Sequence, residues 1–167
     1  MRKRMIMAIA AVWMLATLAP AVAAPAVHET ASMLTLPGMA EVEGSTVSLV
    51  ATDSKATITV RTSDLVAGNV YTLWGITFSY PENCIDGCGP DDEARDPVGV
   101  GFAMQLVAGH VTGASGNVNF GGNIAVVNAQ GAEYHIVVAE HGALDPAIMP
   151  EQIKTPGPGV QIGFLGG

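Results

Sequence analysis

Six carboxylates crowd between positions 82 and 96 of this chain: Glu82, Asp86, Asp91, Asp92, Glu93 and Asp96. Oxygen-rich loops of this kind suit Ca²⁺, a hard cation that takes six to eight oxygen ligands. Asp86, Asp91, Asp92, Glu93 and Asp96 are the expected ligands, with Asn83 and the carbonyls near Gly87 and Gly89 as further oxygens. The spacing is not that of an EF-hand. Partner contact is the other use such a loop has, and a solvated acidic loop with Arg95 as a partial partner is the plain structural one.

Cys84 and Cys88 are the chain's two cysteines and lie inside the same loop. In an exported protein an even count points to a disulfide. A ring this small removes only about 2 kcal/mol of unfolded-state entropy, so the bridge shapes a loop rather than holding a domain together. A redox pair would usually be C-x-x-C, and no second pair exists to complete a zinc site.

Of the four histidines, His28 lies near the N-terminus, and His110, His135 and His141 are the alternative ligands for a transition metal. His135 and His141 fall on one face of a continuous strand, but ~20 Å apart along it. A shared site therefore needs the chain to bend near Glu140, with His110 arriving from another strand. Other chemistry has less support. There is no G-x-S-x-G, since Gly113-Ala-Ser-Gly116 only comes near it, and no glycine-rich phosphate loop opens a helix. Any carboxylate pair for sugar cleavage drawn from so dense a loop is arbitrary. Aromatic residues are 5% of the chain, too few for a broad stacking platform. Trp74 and Tyr80 are expected in the core.

The elements that must position these groups read as strands. Val47, Leu49 and Ala51 alternate with polar residues, as do Ala56, Ile58 and Val60, and a period of two marks strands with one buried face. The spacing of Leu65, Gly68 and Tyr71 has the form of a tyrosine corner, in which a tyrosine hydroxyl bonds the backbone a few residues upstream. From Val70 to Tyr80 both faces carry apolar residues, the pattern of a central strand, and Pro81 ends it. A strand is predicted from Pro97 through Leu106, with small residues Gly99, Gly101 and Ala103 on one face for close approach of another sheet or chain. Gly113–Gly116 is expected to be a hairpin turn into a return strand at Val118 and Phe120, with a bulge at Gly121-Gly122. A strand at 134–140, a proline-punctuated loop or short helix starting at Asp145-Pro146, and a last strand at Val160, Ile162 and Phe164 complete the chain. The sum is an all-β fold, a Greek-key-like antiparallel sandwich of about seven or eight strands, with a small barrel as the second architecture.

The first 23 residues read as a signal peptide. Arg2, Lys3 and Arg4 precede an apolar run from Met5 to Leu18, and Ala21-Val-Ala23 supplies the small-x-small pattern of a cleavage site. The run is short for a membrane span, which needs ~20 apolar residues. Residues 24–40 are expected as an N-terminal tail and 41–167 as a single sandwich domain. Cleavage would leave Lys55, Arg61, Arg95 and Lys154 against fifteen acids, moving the formal charge from −8 to −11. Such a chain repels nucleic acid and anionic membrane.

Three pieces carry a resemblance: Tyr71-Thr-Leu-Trp74, the stretch from Pro81 through Cys84 and Cys88 to Asp92, and Ala132–Val138 leading to His141-Gly142. Together they resemble a group of exported bacterial β-sandwich proteins without assigned activity. The last piece is similar to the CHRD (chordin-type) domain in its histidine-containing strand, although this chain lacks the paired H-x-H of that motif. The resemblance implies fold and export and brings no mechanism. The function expected from the residues is an exported, non-enzymatic binding or structural module, in periplasm or medium, whose acidic loop holds calcium, a small ligand or a protein partner. A metal-dependent enzyme built on the histidines is the alternative.

Overall fold

The computed structural model describes residues 25–166. The expected signal peptide lies outside the described residues. Nine strands form two sheets with antiparallel pairing throughout. One sheet has the order β1 (Val27–Ala31), β3 (Thr46–Thr52), β4 (Lys55–Thr62), β7 (Val118–Ala125). The other has the order β2 (Leu34–Thr35), β9 (Gly159–Leu165), β8 (Glu133–Ala143), β5 (Asn69–Phe78), β6 (Phe102–Val111). The two sheets pack face to face as a sandwich, and among the described residues no barrel closes.

The alternation read from the sequence is the packing. In β4, Ala56, Ile58, Val60 and Thr62 are buried and the residues between them exposed. Ile58 and Val60 meet Leu49, Phe120 and Ile124 from their own sheet and Leu73, Ile136 and Val138 from the other in one apolar core. Each such side chain contributes about 1.5–3 kcal/mol on full burial. The core also holds an inter-sheet polar tie. Gln161 of β9 is buried and bonds the hydroxyl of Thr62 and, through Nε2 at 2.9 Å, the carbonyl of Ser63.

Several expectations are corrected. The stretch 24–40, expected as a tail, is built into the fold over its described residues, 25–40. Val27–Ala31 pairs with β3, Leu34–Thr35 pairs with β9, and Met33 between them is fully buried, so this segment carries the chain from one sheet to the other. These two strands raise the count above seven or eight. The Gly113–Gly116 turn exists, with Gly116 N–H donating to the Gly113 carbonyl at 3.1 Å, but it makes no hairpin. The strand after it pairs with β4, in the opposite sheet from β6. Residues 97–101 form a turn rather than the start of β6, because Gly101 takes φ +64° and Asp96 Oδ1 accepts the Gly99 N–H at 2.8 Å. The β4–β7 register runs through Gly121 and Gly122 without a bulge. Gly122 is needed for a different reason: a Cβ there would sit 2.5 Å from the Val107 carbonyl oxygen of β6. Gln105 Nε2 adds a 2.7 Å bond to the Ala125 carbonyl across the same gap, whereas Gly99 and Gly101, expected to admit another sheet or chain, lie in the turn before β6 against Asp96, Ser79 and Tyr80. The short helix near Asp145 begins later than expected, as α2 (Met149–Gln152), because Asp145 Oδ1 holds the Ala147 N–H in a turn.

The outward faces of the two sheets differ. That of the four-stranded sheet is polar, with rows such as Thr30–Ser48–Thr59 and Thr46–Arg61–Asn119. That of the five-stranded sheet is apolar, with rows Leu106–Trp74–Val137–Ile162, Met104–Ile76–His135–Phe164 and Phe102–Phe78–Glu133. An antiparallel sheet with one solvated face alternates apolar-in and polar-out, so an apolar outer face calls for a cover.

Candidate functional site

Part of that cover is the cysteine loop. A single 3₁₀ turn (Pro81–Asn83) leads out of β5, Cys84 and Cys88 form a disulfide, and α1 (Pro90–Arg95) returns the chain. The loop is held by its own polar groups. Asp92 is 3% exposed, and its Oδ1 accepts the Ile85 N–H at 3.0 Å and Arg95 Nη2 at 2.7 Å. Arg95 Nη2 also donates to the Asn83 carbonyl at 3.2 Å, and Asn83 Nδ2 donates to the Gly99 carbonyl at 2.8 Å. Asp86 sits at φ +58°, a left-handed conformation that aspartate tolerates, and Gly87 follows at φ +92°.

The acids expected to ligate calcium are therefore distributed among roles. Asp92 is the buried staple of the loop, a role that its i, i+3 spacing to Arg95 foreshadows. Asp96 caps the turn at Gly99. Asp86, Asp91 and Glu93 are exposed. Among the described residues, no three histidines, cysteines or acids gather where they could hold a metal.

The three histidines stand apart. His110 is exposed on β6, with its ring 6.2 Å from that of Phe120 at the open side of the sandwich. His135 and His141 share the outer face of β8, as their spacing predicts, but have separate partners. His141 Nε2 lies 2.8 Å from Thr72 Oγ1, which also accepts the Trp74 Nε1–H at 2.8 Å. Thr72 is fully buried and, among the described residues, His141 Nε2 is the acceptor within reach of its hydroxyl, so a neutral imidazole carrying its proton on Nδ1 satisfies both groups. Burial holds the His141 pKa below its ordinary value.

His135 is 8% exposed and lies between the rings of Phe78, 5.2 Å away, and Phe164, 4.7 Å away. Its Nε2–H donates to Glu133 Oε1 at 2.7 Å. Above it, the underside of the cysteine loop roofs a half-open cavity of about 330 Å³. Ile76, Phe78, His135, Ile162 and Phe164 form the sheet side, and Cys88, Gly89, Pro90 and Glu93 form the loop side. The lining is mostly apolar, with two polar groups, His135 and Glu93, at defined places. This is the composition of a small-molecule site. Sequence reasoning places chemistry on the loop's acidic outer surface and misses this apolar underside. The available signal is the apolar row of Trp74, Ile76 and Phe78 on the second face of a central strand.

A second cavity, of about 340 Å³, opens between the sheets beside Tyr80, Val98, Phe102 and Val126, and among the described residues no charged one lines it. Tyr80, expected in the core, is 37% exposed at this opening, and Trp74, also expected in the core, is buried on the outer face of the five-stranded sheet rather than between the sheets. Compared with known proteins, the chain matches no family model, no curated protein and no solved structure, and its function is argued from its geometry.

Proposed function

We propose that this protein is an exported, non-enzymatic binding module that takes a small, largely apolar ligand between its cystine loop and the outer face of its five-stranded sheet. The observation that carries the reading is the cavity of about 330 Å³ lined by Ile76, Phe78, Ile162 and Phe164 beneath Cys88 and Pro90. A disulfide across five residues pre-shapes the roof and lowers the ordering cost of closing over a ligand. The disulfide also accords with an oxidising compartment, and so with export. Among the described residues no helix is long and apolar enough to cross a membrane.

The neutral fluorophore N-phenyl-1-naphthylamine tests the reading. Its emission is expected to rise saturably on titration with the purified protein. Phe164→Gln, at a position 39% exposed and so tolerant of change, is expected to weaken the binding about ten-fold without unfolding the protein. Absence of a saturable signal from protein with an intact melting transition would overturn the proposal.

A further inference from the structure

The charges around the cavity point to the kind of apolar molecule it takes. The carboxylate that lines it is Glu93, exposed at the loop side. On the sheet side the polar group is His135, whose Nε2–H is engaged by the carboxylate of Glu133. Among the described residues, no lysine or arginine lines the cavity. Arg95, the loop's basic residue, is turned to Asp92 and the Asn83 carbonyl. The chain as a whole carries a formal charge of −8. An anionic ligand would meet Glu93 with no lysine or arginine to offset it. A cation with a hydrocarbon body would meet one exposed carboxylate and aromatic surface from Phe78 and Phe164, whose rings also attract cations.

We infer that the cavity selects a hydrophobic organic cation, an alkyl- or arylalkylammonium, seating the hydrocarbon on Ile76, Phe78, Ile162 and Phe164 and the ammonium at Glu93. The inference rests on the cavity being a ligand site. Glu93 accepts no hydrogen bond from the described residues, so its carboxylate is available to an incoming donor without breaking the loop's internal network.

Three probes of one shape separate the possibilities: 2-phenylethylammonium, 2-phenylethanol and 3-phenylpropanoate, titrated calorimetrically into the purified protein. The ammonium is expected to bind about five-fold tighter than the alcohol, the worth of a well-placed exposed ion pair, and the carboxylate weakest of the three. The preference should shrink as salt rises from about 20 mM to about 0.5 M. Glu93→Gln, an exposed substitution outside the loop's side-chain hydrogen bonds, should abolish the ammonium's advantage over the alcohol. Equal binding of all three, or tightest binding of the carboxylate, overturns the cation inference and leaves the cavity reading standing. Binding of none of the three by folded protein overturns both.

Discussion

The hydroxyl of Tyr134 donates to the carbonyl of Ala129, five residues upstream, at 2.6 Å. Tyr71 repeats the spacing: its hydroxyl accepts the N–H of Val66, also five residues upstream, at 2.9 Å, and donates to Glu140 Oε1 at 3.1 Å. Both tyrosines end a G-x-x-Y segment, Gly68–Tyr71 and Gly131–Tyr134, and lie on neighbouring strands that run in opposite directions. The sandwich thus carries one such lock near each end of its central strand pair.

The two locks should differ in strength. The Ala129 carbonyl belongs to a residue 1% exposed, so Tyr134→Phe leaves a buried acceptor without a partner and is expected to cost about 1–3 kcal/mol. Val66 is 57% exposed and water can replace the hydroxyl, so Tyr71→Phe should cost less, about 0.5–1.5 kcal/mol. Urea denaturation of the two variants gives the order. Alkaline titration adds a second readout. Burial, and secondarily the charge of Glu29, push the Tyr134 pKa up from 10.0 to about 12. A raised folded-state pKa means that stability is fully present below pH 10 and is lost as the pH climbs through about 12. Tyr134→Phe should flatten that decline.

Glycine positions on β5 and β7 make a contrast of another kind. A Cβ at Gly122 would meet the backbone oxygen of Val107 at 2.5 Å, and a Cβ at Gly75 would meet the Cδ1 of Ile124 at 2.8 Å. An isoleucine tip can swing aside, whereas a strand backbone in a packed sheet moves only with its neighbours. Gly122→Ala is therefore expected to cost roughly 3 kcal/mol and Gly75→Ala roughly 1 kcal/mol. Thermal melts of both variants test the ranking, and equal losses would mean that β6 and β7 are free to separate.

These contacts show what the sequence holds openly and what it conceals. The alternation in β3 and β4 is legible because each buried residue there faces the same core and each partner faces water. The tyrosine corner at Tyr71 is legible because its bond is local. Strand β1 hides because its half-buried edge pattern places only Val27 and Ala31 among polar residues, and because its anchor, Met33, falls outside the alternation. Turn residues at Gly113–Gly116 announce a reversal but carry no information on which sheet receives the next strand. The cavity hides for a similar reason. Its walls come from β5, β8, β9 and the cystine loop, and no short window of sequence contains more than part of it.

Loop integrity should depend on Asp92 more than on the disulfide. Removing Cys84 and Cys88 together as serines releases a small ring worth about 2 kcal/mol at most. Asp92→Ala removes a carboxylate that is only 3% exposed, and with it two charge-assisted hydrogen bonds, from the Ile85 N–H and from Arg95. It is expected to cost about 2–3 kcal/mol locally, seen as faster hydrogen exchange over residues 84–96 with little change in exchange at β4 or β8. Because Asp92 and Asp96 are already engaged, millimolar Ca²⁺ is expected to raise the melting temperature no more than Mg²⁺ at equal ionic strength. A shift specific to Ca²⁺ would show that the loop rearranges to gather its acids.

On the acid side, His141 should set a step in stability. The Thr72 hydroxyl accepts the Trp74 Nε1–H and gives its own proton to His141 Nε2. Protonating Nε2 would place two donors face to face, and the threonine hydroxyl could then turn only by leaving its proton without an acceptor in a fully buried site. Burial already lowers the His141 pKa from its ordinary 6.5. A lowered folded-state value means that the unfolded chain binds the proton first, so stability is complete above 6.5 and falls as the pH drops through the lowered value. His141→Gln keeps an acceptor for Thr72 and removes the titration. Denaturation curves taken between about pH 8 and about pH 5 should slope for the natural chain and run flatter for this variant. Thr72→Val, which leaves both the indole N–H and the imidazole unpartnered, should instead lower stability by about 1–3 kcal/mol across the whole range.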